Sequence, residues 1–191
     1  MPAMPPAQQL RIVDLAGHRD QIDVVAELLR AGFEGQSPAS PDHASALEEV
    51  LTSLENGKIS RVALGADGQP VGWVAAAPMY AGNVWELHPL VVSTGNRSKG
   101  IGRALVLDIE QQVMLHGGAV LLVGTDDEDG RTNLFGLDLF PDVLRHLLRL
   151  ANLRGHPFGF YQRMGFSIVG VVPDANGFGR PDILMAKRVA T

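Results

Sequence analysis

Residues 85–125, WELHPLVVSTGNRSKGIGRALVLDIEQQVMLHGGAVLLVGT, constrain the fold more than any other stretch. An extended run ends near Val92, and a turn carrying Arg97, Lys99 and Arg103 around Gly100 and Gly102 follows it. Residues 100–117 then place Ile101, Leu105, Ile109 and Val113 on one helical face, and HGG ends that helix. AVLLVG (119–124) is short and continuously apolar, as a strand in the middle of a sheet must be. The three pieces form one central βαβ unit, which commits the chain to a sheet with a parallel pair.

The flanking segments surround this unit with an antiparallel half and a C-terminal hairpin. LRIVDL (10–15) reads as a strand, and residues 21–33 space Ile22, Val25, Leu28, Leu29 and Phe33 as a helix. GQSPASPD (35–42) is a loop, and Ser40 or Asp42 caps a second helix that stops at Gly57. Residues 59–92 read as three strands joined by turns at ADGQ and AGN. DVLRHLLRLANL is an amphipathic helix, and HPFGFYQRMGF a short one with Pro157 at its start and Gly165 at its end. SIVGVVP and DILMAKRV are the last two strands, so the order is β-α-α-β-β-β-α-β-α-α-β-β, a mixed α/β domain.

Residues 1–9, rich in proline and alanine, are expected to be a disordered tail, with one domain over residues 10–191. The 191 residues contain no cysteine, which excludes disulfides, thiolate metal sites and a cysteine nucleophile, and no metal site is expected. No signal peptide and no membrane-spanning run is read, so the expected compartment is the cytoplasm and no membrane partner is expected. A formal net charge of −5 argues against a general nucleic-acid binder and is compatible with a cationic small molecule.

The basic glycine turn at a helix start is suited to an anion. Unpaired N–H groups and a partial positive charge sit there, and glycine lets the backbone come close. The spacing R-x-x-G-x-G lacks the GK[ST] of a P-loop, and Leu105 stands where a dinucleotide fingerprint needs its third glycine. Strand, RSKGIGRAL, helix, AVLLVG and FYQRMGF together resemble the GNAT family of acetyl-CoA-dependent N-acetyltransferases. The family's loop Q/R-x-x-G-x-G/A is matched by Arg97, Gly100 and Gly102, and its late tyrosine by Tyr161, with Arg163 in place of the usual lysine. WELHPLVV, GTDD, NLRGHPFGFYQRMGFSIVG, PDANG and PDILMAK further resemble the aminoglycoside 6'-N-acetyltransferases.

The resemblance implies a GNAT fold: a mixed central sheet, antiparallel N-terminal strands, flanking helices, and fourth and fifth strands that splay after Leu90. Coenzyme A would be held by Ser98, Lys99, Gly100, Ile101, Gly102, Arg103 and Ala104, with Arg97 beside them. Leu90, Val91 and Val92 would pair with the pantetheine arm as an added strand. Pro89 lacks an N–H and suits a break in pairing, and Thr125 is close enough by topology to touch the same arm.

Acetyl transfer to an amine also needs a proton acceptor, because an alkylammonium has a pKa near ~10. Glu86 and His88 alternate along one strand and point to one face, Glu86 being the first choice for amine binding and base and His88 the second. The resemblance implies the Leu90 N–H as the oxyanion donor and Tyr161 as the acid that protonates the leaving thiolate. In TDDEDG, Asp129 is the best substrate contact by position, with Asp126 and Asp127 as further candidates, though one or more can cap the following turn instead. Often the subgroup has a Trp–Pro pair after the first helix, whereas FEGQSPASPDH has no tryptophan. The expected reaction is acetyl transfer to an aminoglycoside by direct attack in a ternary complex. A different amine (polyamine, metabolite or peptide N-terminus) and a non-catalytic coenzyme A sensor are the rivals. A homodimer is an expectation from the resemblance.

Overall fold

A computed structural model describes residues 10–33 and 42–190. The expected disordered tail (1–9) and most of the loop read at 35–42 lie outside the described residues. The elements are β1 (Arg11–Asp14), α1 (Ile22–Phe33), α2 (His43–Thr52), β2 (Ile59–Leu64), β3 (Pro70–Met79), β4 (Val84–Val92), α3 (Ile101–Leu115), β5 (Val120–Asp126), α4 (Val143–Leu147), α5 (Phe158–Arg163), β6 (Ser167–Val172) and β7 (Asp182–Arg188). Their order is the one the sequence patterning predicts.

One seven-stranded sheet runs β1-β2-β3-β4-β5-β7-β6, antiparallel everywhere except at the β4–β5 pair. Both faces are covered, and period-2 alternation feeds them. Val62, Trp73 and Ala75 pack under α1 and α2, while their neighbours Ala63, Val74 and Ala76 pack under α3. Trp73 is fully buried and gives its indole N–H to Ser60 Oγ at 2.9 Å, so its one polar atom is satisfied. Two ion pairs pin α3 to strands on either side of it. Arg61 on β2 forks onto Asp108 at 2.7 and 3.1 Å, and Lys187 on β7 reaches Glu110 at 2.7 Å.

Two irregularities in the middle of the sheet create the site. Between β3 and β4 the register shifts, so that Ala75 alone stands opposite both His88 and Pro89. The bulge re-aims β4: Leu87 belongs to the core under α3, and Val91 to the core under α1. The parallel pairing of β4 with β5 covers only Val84–Glu86 against Val120–Leu122. The strands therefore part after Glu86, earlier than the Leu90 that the resemblance implies. The cause is visible in the bulge, which turns the backbone away before Leu90 is reached.

Two helices are shorter than expected. Asp42 caps α2 by accepting from the Ser45 N–H at 2.8 Å, but regular helix ends at Thr52. Tight turns follow, with Leu54 N–H on Leu51 O and Glu55 N–H on Thr52 O, before Gly57 takes φ +85°. The amphipathic helix read at DVLRHLLRLANL is only the five-residue α4. Leu144 and Leu148 are 74% and 88% exposed, so little packing supports that stripe, and an unsupported short helix is marginal.

Gly118 closes the turn between α3 and β5 where a Cβ would stand 2.5 Å from Trp85 Cδ1 and 2.6 Å from Val113 Cγ1. Gly118→Ala is expected to destabilise the fold by about 1–3 kcal/mol through overpacking, read as a lower urea midpoint at unchanged slope.

Candidate active site

Where β4 and β5 part, a cavity of about 550 Å³ opens between them. His88, Leu90, Val91 and Val92 line it from β4, Thr125 and Asp126 from β5, and Tyr161 from α5. Each is a residue that the sequence singles out. Leu90 to Val92 lie beyond the last β4–β5 pair, so that stretch of β4 has no strand partner on its β5 side. Thr125 is buried, and its hydroxyl donates to Ile183 O at 3.1 Å, which fixes β5 to β7.

The glycine turn stands at one end of this slot. Gly100 caps α3 in the left-handed region at φ +86°, a conformation that only glycine takes without strain. With no side chain it leaves the first N–H groups of α3 uncapped, and the first helical bond is Ala104 N–H to Gly100 O. At Gly102 the backbone is ordinary, and an added Cβ would sit 3.7 Å from Phe160 and Val92, so alanine fits there too. The geometry thus accounts for a strict glycine at the first position and a glycine or alanine at the second. Lys99 gives its ammonium to Asn96 Oδ1 at 3.1 Å, and Arg103 is exposed. Arg97, expected beside the coenzyme A, also braces the fold. Its guanidinium donates to Val92 O at 3.3 Å and to Gly32 O at 3.1 Å, bracing the end of β4 against the end of α1. The open N–H groups of α3, with Lys99 and Arg103 on the same turn, suit an anion.

The opposite end is lined with carboxylates. Asp126 and Asp129 are exposed on the cavity, and Glu128 lines it as well. Asp127 is not a wall of the site. It is fully buried, and its two oxygens accept from the N–H groups of Arg131 at 2.8 Å and Thr132 at 2.7 Å. Burial pushes this carboxyl up, but those hydrogen bonds outweigh it and hold the group below its ordinary range. Of the alternatives for TDDEDG, Asp127 takes the turn-capping one. Asp129 is held by Arg131 through both oxygens, at 2.8 and 3.0 Å.

Glu86 and His88 are both exposed on the same side of β4, as their alternation predicts. Glu86 lies beside the cavity, outside its lining, and its charge acts on His88 and on Asp182. His88 Nε2 meets Glu49 Oε1 of α2 at 3.2 Å. That hydrogen bond raises the imidazole above its ordinary value, against the desolvation that lowers it. Tyr161 is 6% exposed, edge-on to Phe160 and Phe166, and burial keeps its hydroxyl protonated far above the usual value.

Two carboxylates of this region escape the sequence reading. Glu49 comes from a helix whose polar face gives no reason to single it out. Asp182 opens β7 directly opposite Asp126 in the ladder, and one of its oxygens is buried without a hydrogen-bond partner. A Cβ on Gly124 would touch that carboxylate at 2.6 Å, so the glycine makes room for it. Burial first, then the charge of Asp126, pushes Asp182 up to about 6. The available signal was PDILMAK itself, in which an acid starts an apolar strand.

Comparison with known proteins places these features in a family. The model of the acetyltransferase (GNAT) family matches residues 22–135. A solved aminoglycoside 6'-N-acetyltransferase complexed with coenzyme A shares 34% identity, covering 95% of this chain and 98% of its own, with a TM-score of 0.83. The aminoglycoside 6'-N-acetyltransferase from Enterococcus faecium shares 35% over the same spans, also at 0.83. An aminoglycoside 6'-acetyltransferase type Ii shares 31%, with a TM-score of 0.71. A search of curated proteins found no match.

Because the carboxyl of Asp182 is raised, the folded state is penalised by its charge once pH climbs above the ordinary value of 3.8, and the penalty is complete above about 6. Asp182→Asn is therefore expected to stabilise the ligand-free protein at pH 7 by roughly 1–3 kcal/mol, with the gain fading toward pH 4. Thermal melts across that pH range check the sign.

Proposed function

The chain belongs to the acetyltransferase (GNAT) family, and we propose that it carries acetyl from acetyl-CoA to the 6'-amine of an aminoglycoside by direct attack in a ternary complex. The observation that carries this reading is the pairing of a strand-edge slot with a carboxylate-lined end. The slot suits an extended thioester arm, and the carboxylates suit a polycation. Similarity to three aminoglycoside acetyltransferases supports the acceptor class. Among the described residues no helix is long and apolar enough to cross a membrane. The same reading expects a cytoplasmic homodimer, with no membrane or nucleic acid as partner.

The donor supplies an activated acyl thioester. The N–H groups from Lys99 to Arg103, flanked by Ser98 and Ala104, take its diphosphate, and Leu90–Val92 pair with its pantetheine arm. Asp126, Asp129 and Asp182 draw in the ammonium groups of the acceptor, strongly at low ionic strength. Glu86 takes the proton of the attacking amine directly or through water, with His88 beside it. Asp182, raised to about 6, is a second carboxylate poised near neutrality. The Leu90 N–H faces the oxygen that gains charge. Tyr161 keeps its proton until the thiolate leaves, and burial in one cleft raises the thiolate as well, so the proton moves between two groups shifted in the same direction.

Steady-state acetylation of kanamycin, tobramycin, spermidine and a short peptide, followed by thiol release, tests the acceptor. Turnover confined to aminoglycosides with a free 6'-amine is expected. Turnover of spermidine or the peptide alone would replace the acceptor and keep the fold. Tyr161→Phe is expected to lower kcat about 10²-fold and Glu86→Gln to lower it at least as far, with coenzyme A affinity unchanged. A coenzyme A sensor would instead show binding and no turnover in the unsubstituted protein.

A further inference from the structure

His156 serves no role in the reaction as derived, yet it is 2% exposed and stands between the end of β5 and the start of α5. Its Nε2 lies 3.0 Å from the carbonyl of Asp126 at the end of β5. Its Nδ1 lies 3.2 Å from the N–H of Phe158, the first residue of α5. A carbonyl only accepts and an amide N–H only donates, so the ring is neutral, with its proton on Nε2. Added charge on Nδ1 would face the Phe158 N–H. Burial agrees with this, holding the imidazole below its ordinary value, while Asp127 and Asp129 pull it up and Arg131 pushes it down.

The ring is itself held. Asn152 clasps the backbone of His156 from both sides, accepting from its N–H at 2.8 Å and donating to its carbonyl at 3.0 Å. Asn152 bridges to Thr132, whose N–H is one of the two bound by Asp127. One imidazole thus joins the end of β5 to the start of α5, while Asn152 holds the backbone that carries it. On one side it ends at Asp126, which lines the acidic wall. On the other it ends at the first turn of α5, where Tyr161 follows Phe158 by three residues and faces the same cavity.

We propose that His156 is a positioning residue, a neutral two-sided strut that fixes the acidic acceptor wall relative to Tyr161. The inference rests on the proposed acetyl transfer for its kinetic consequence only. The two hydrogen bonds separate by substitution. His156→Asn keeps an acceptor where Nδ1 stands and loses the donor to Asp126. His156→Gln keeps a donor where Nε2 stands and loses the acceptor for Phe158. His156→Ala loses both.

With an aminoglycoside that the unsubstituted protein acetylates, His156→Asn is expected to raise acceptor KM about tenfold with kcat within about threefold. His156→Gln is expected to lower kcat about tenfold with acceptor KM within about threefold. His156→Ala should show both effects. A purely structural role predicts variants that differ in melting temperature but keep the same kcat and KM when folded, and that result would overturn the proposal. Loss of the same parameter in Asn and Gln would overturn it too. Amide hydrogen exchange on the ligand-free proteins decides the matter even where no amine is turned over. Faster exchange at Phe158–Tyr161 in His156→Gln, about tenfold, with Ile183–Met185 unchanged, supports the strut. Uniform change across both segments refutes it. Absence of turnover in the unsubstituted protein, with this local exchange pattern intact, would remove the acceptor assignment and leave the strut.

Discussion

The site depends on one backbone event, the bulge that sets His88 and Pro89 opposite the single residue Ala75. A parallel pair in a sheet covered on both faces would otherwise run on and close. Here β4 leaves β5 after three paired positions, and the helix between them has to stay fixed while the strands diverge. The ion pairs Arg61–Asp108 and Lys187–Glu110 do this from opposite sides of α3. Arg97 adds a third brace, since its bonds to Gly32 O and Val92 O tie the end of α1 to the end of β4. The opening is therefore a consequence of strand pairing, braced on both sides of α3.

Once the slot exists, charge divides it. Uncapped N–H groups and basic side chains stand at the α3 end, and carboxylates at the β5–β7 end. The second group is costly, because like charges are held close in partial burial. Asp126 and Asp182 face each other in the ladder, and Asp182 has an oxygen with no partner. A fold selected for stability alone would not keep that arrangement. In the proposed reaction a cationic acceptor relieves it, so part of the attraction for that acceptor is the repulsion between Asp126 and Asp182.

Local pattern carried the element order, the βαβ unit and the glycine turn into the sequence reading, because each is written in consecutive residues. Tyr161, His88 and the Leu90–Val92 edge were legible for the same reason. Parts assembled across the sheet were not. Glu49, Asp182 and His156 gain meaning only from what the tertiary fold sets beside them: His88, Asp126, and the Asp126 carbonyl with the Phe158 N–H. Asp127 shows the converse. Next to Asp126 in sequence, it points the other way along an alternating strand end, and two backbone N–H groups take its charge. DVLRHLLRLANL misled by periodicity, since an apolar stripe makes a long helix only when something covers it.

These buried polar links share a logic. Asp127, Asn152 and His156 each spend their side chains on backbone groups, either inside the segment between β5 and α5 or at the ends of those two elements. Residues 127–156 hold little regular structure, so side chains must satisfy what secondary structure satisfies elsewhere. An unmet buried carbonyl or N–H there costs more than the bond itself gains. Such a network holds an irregular segment in one place. On the proposed function that segment shapes the acceptor pocket beside Tyr161, which would set the least regular part of the chain against the chemistry.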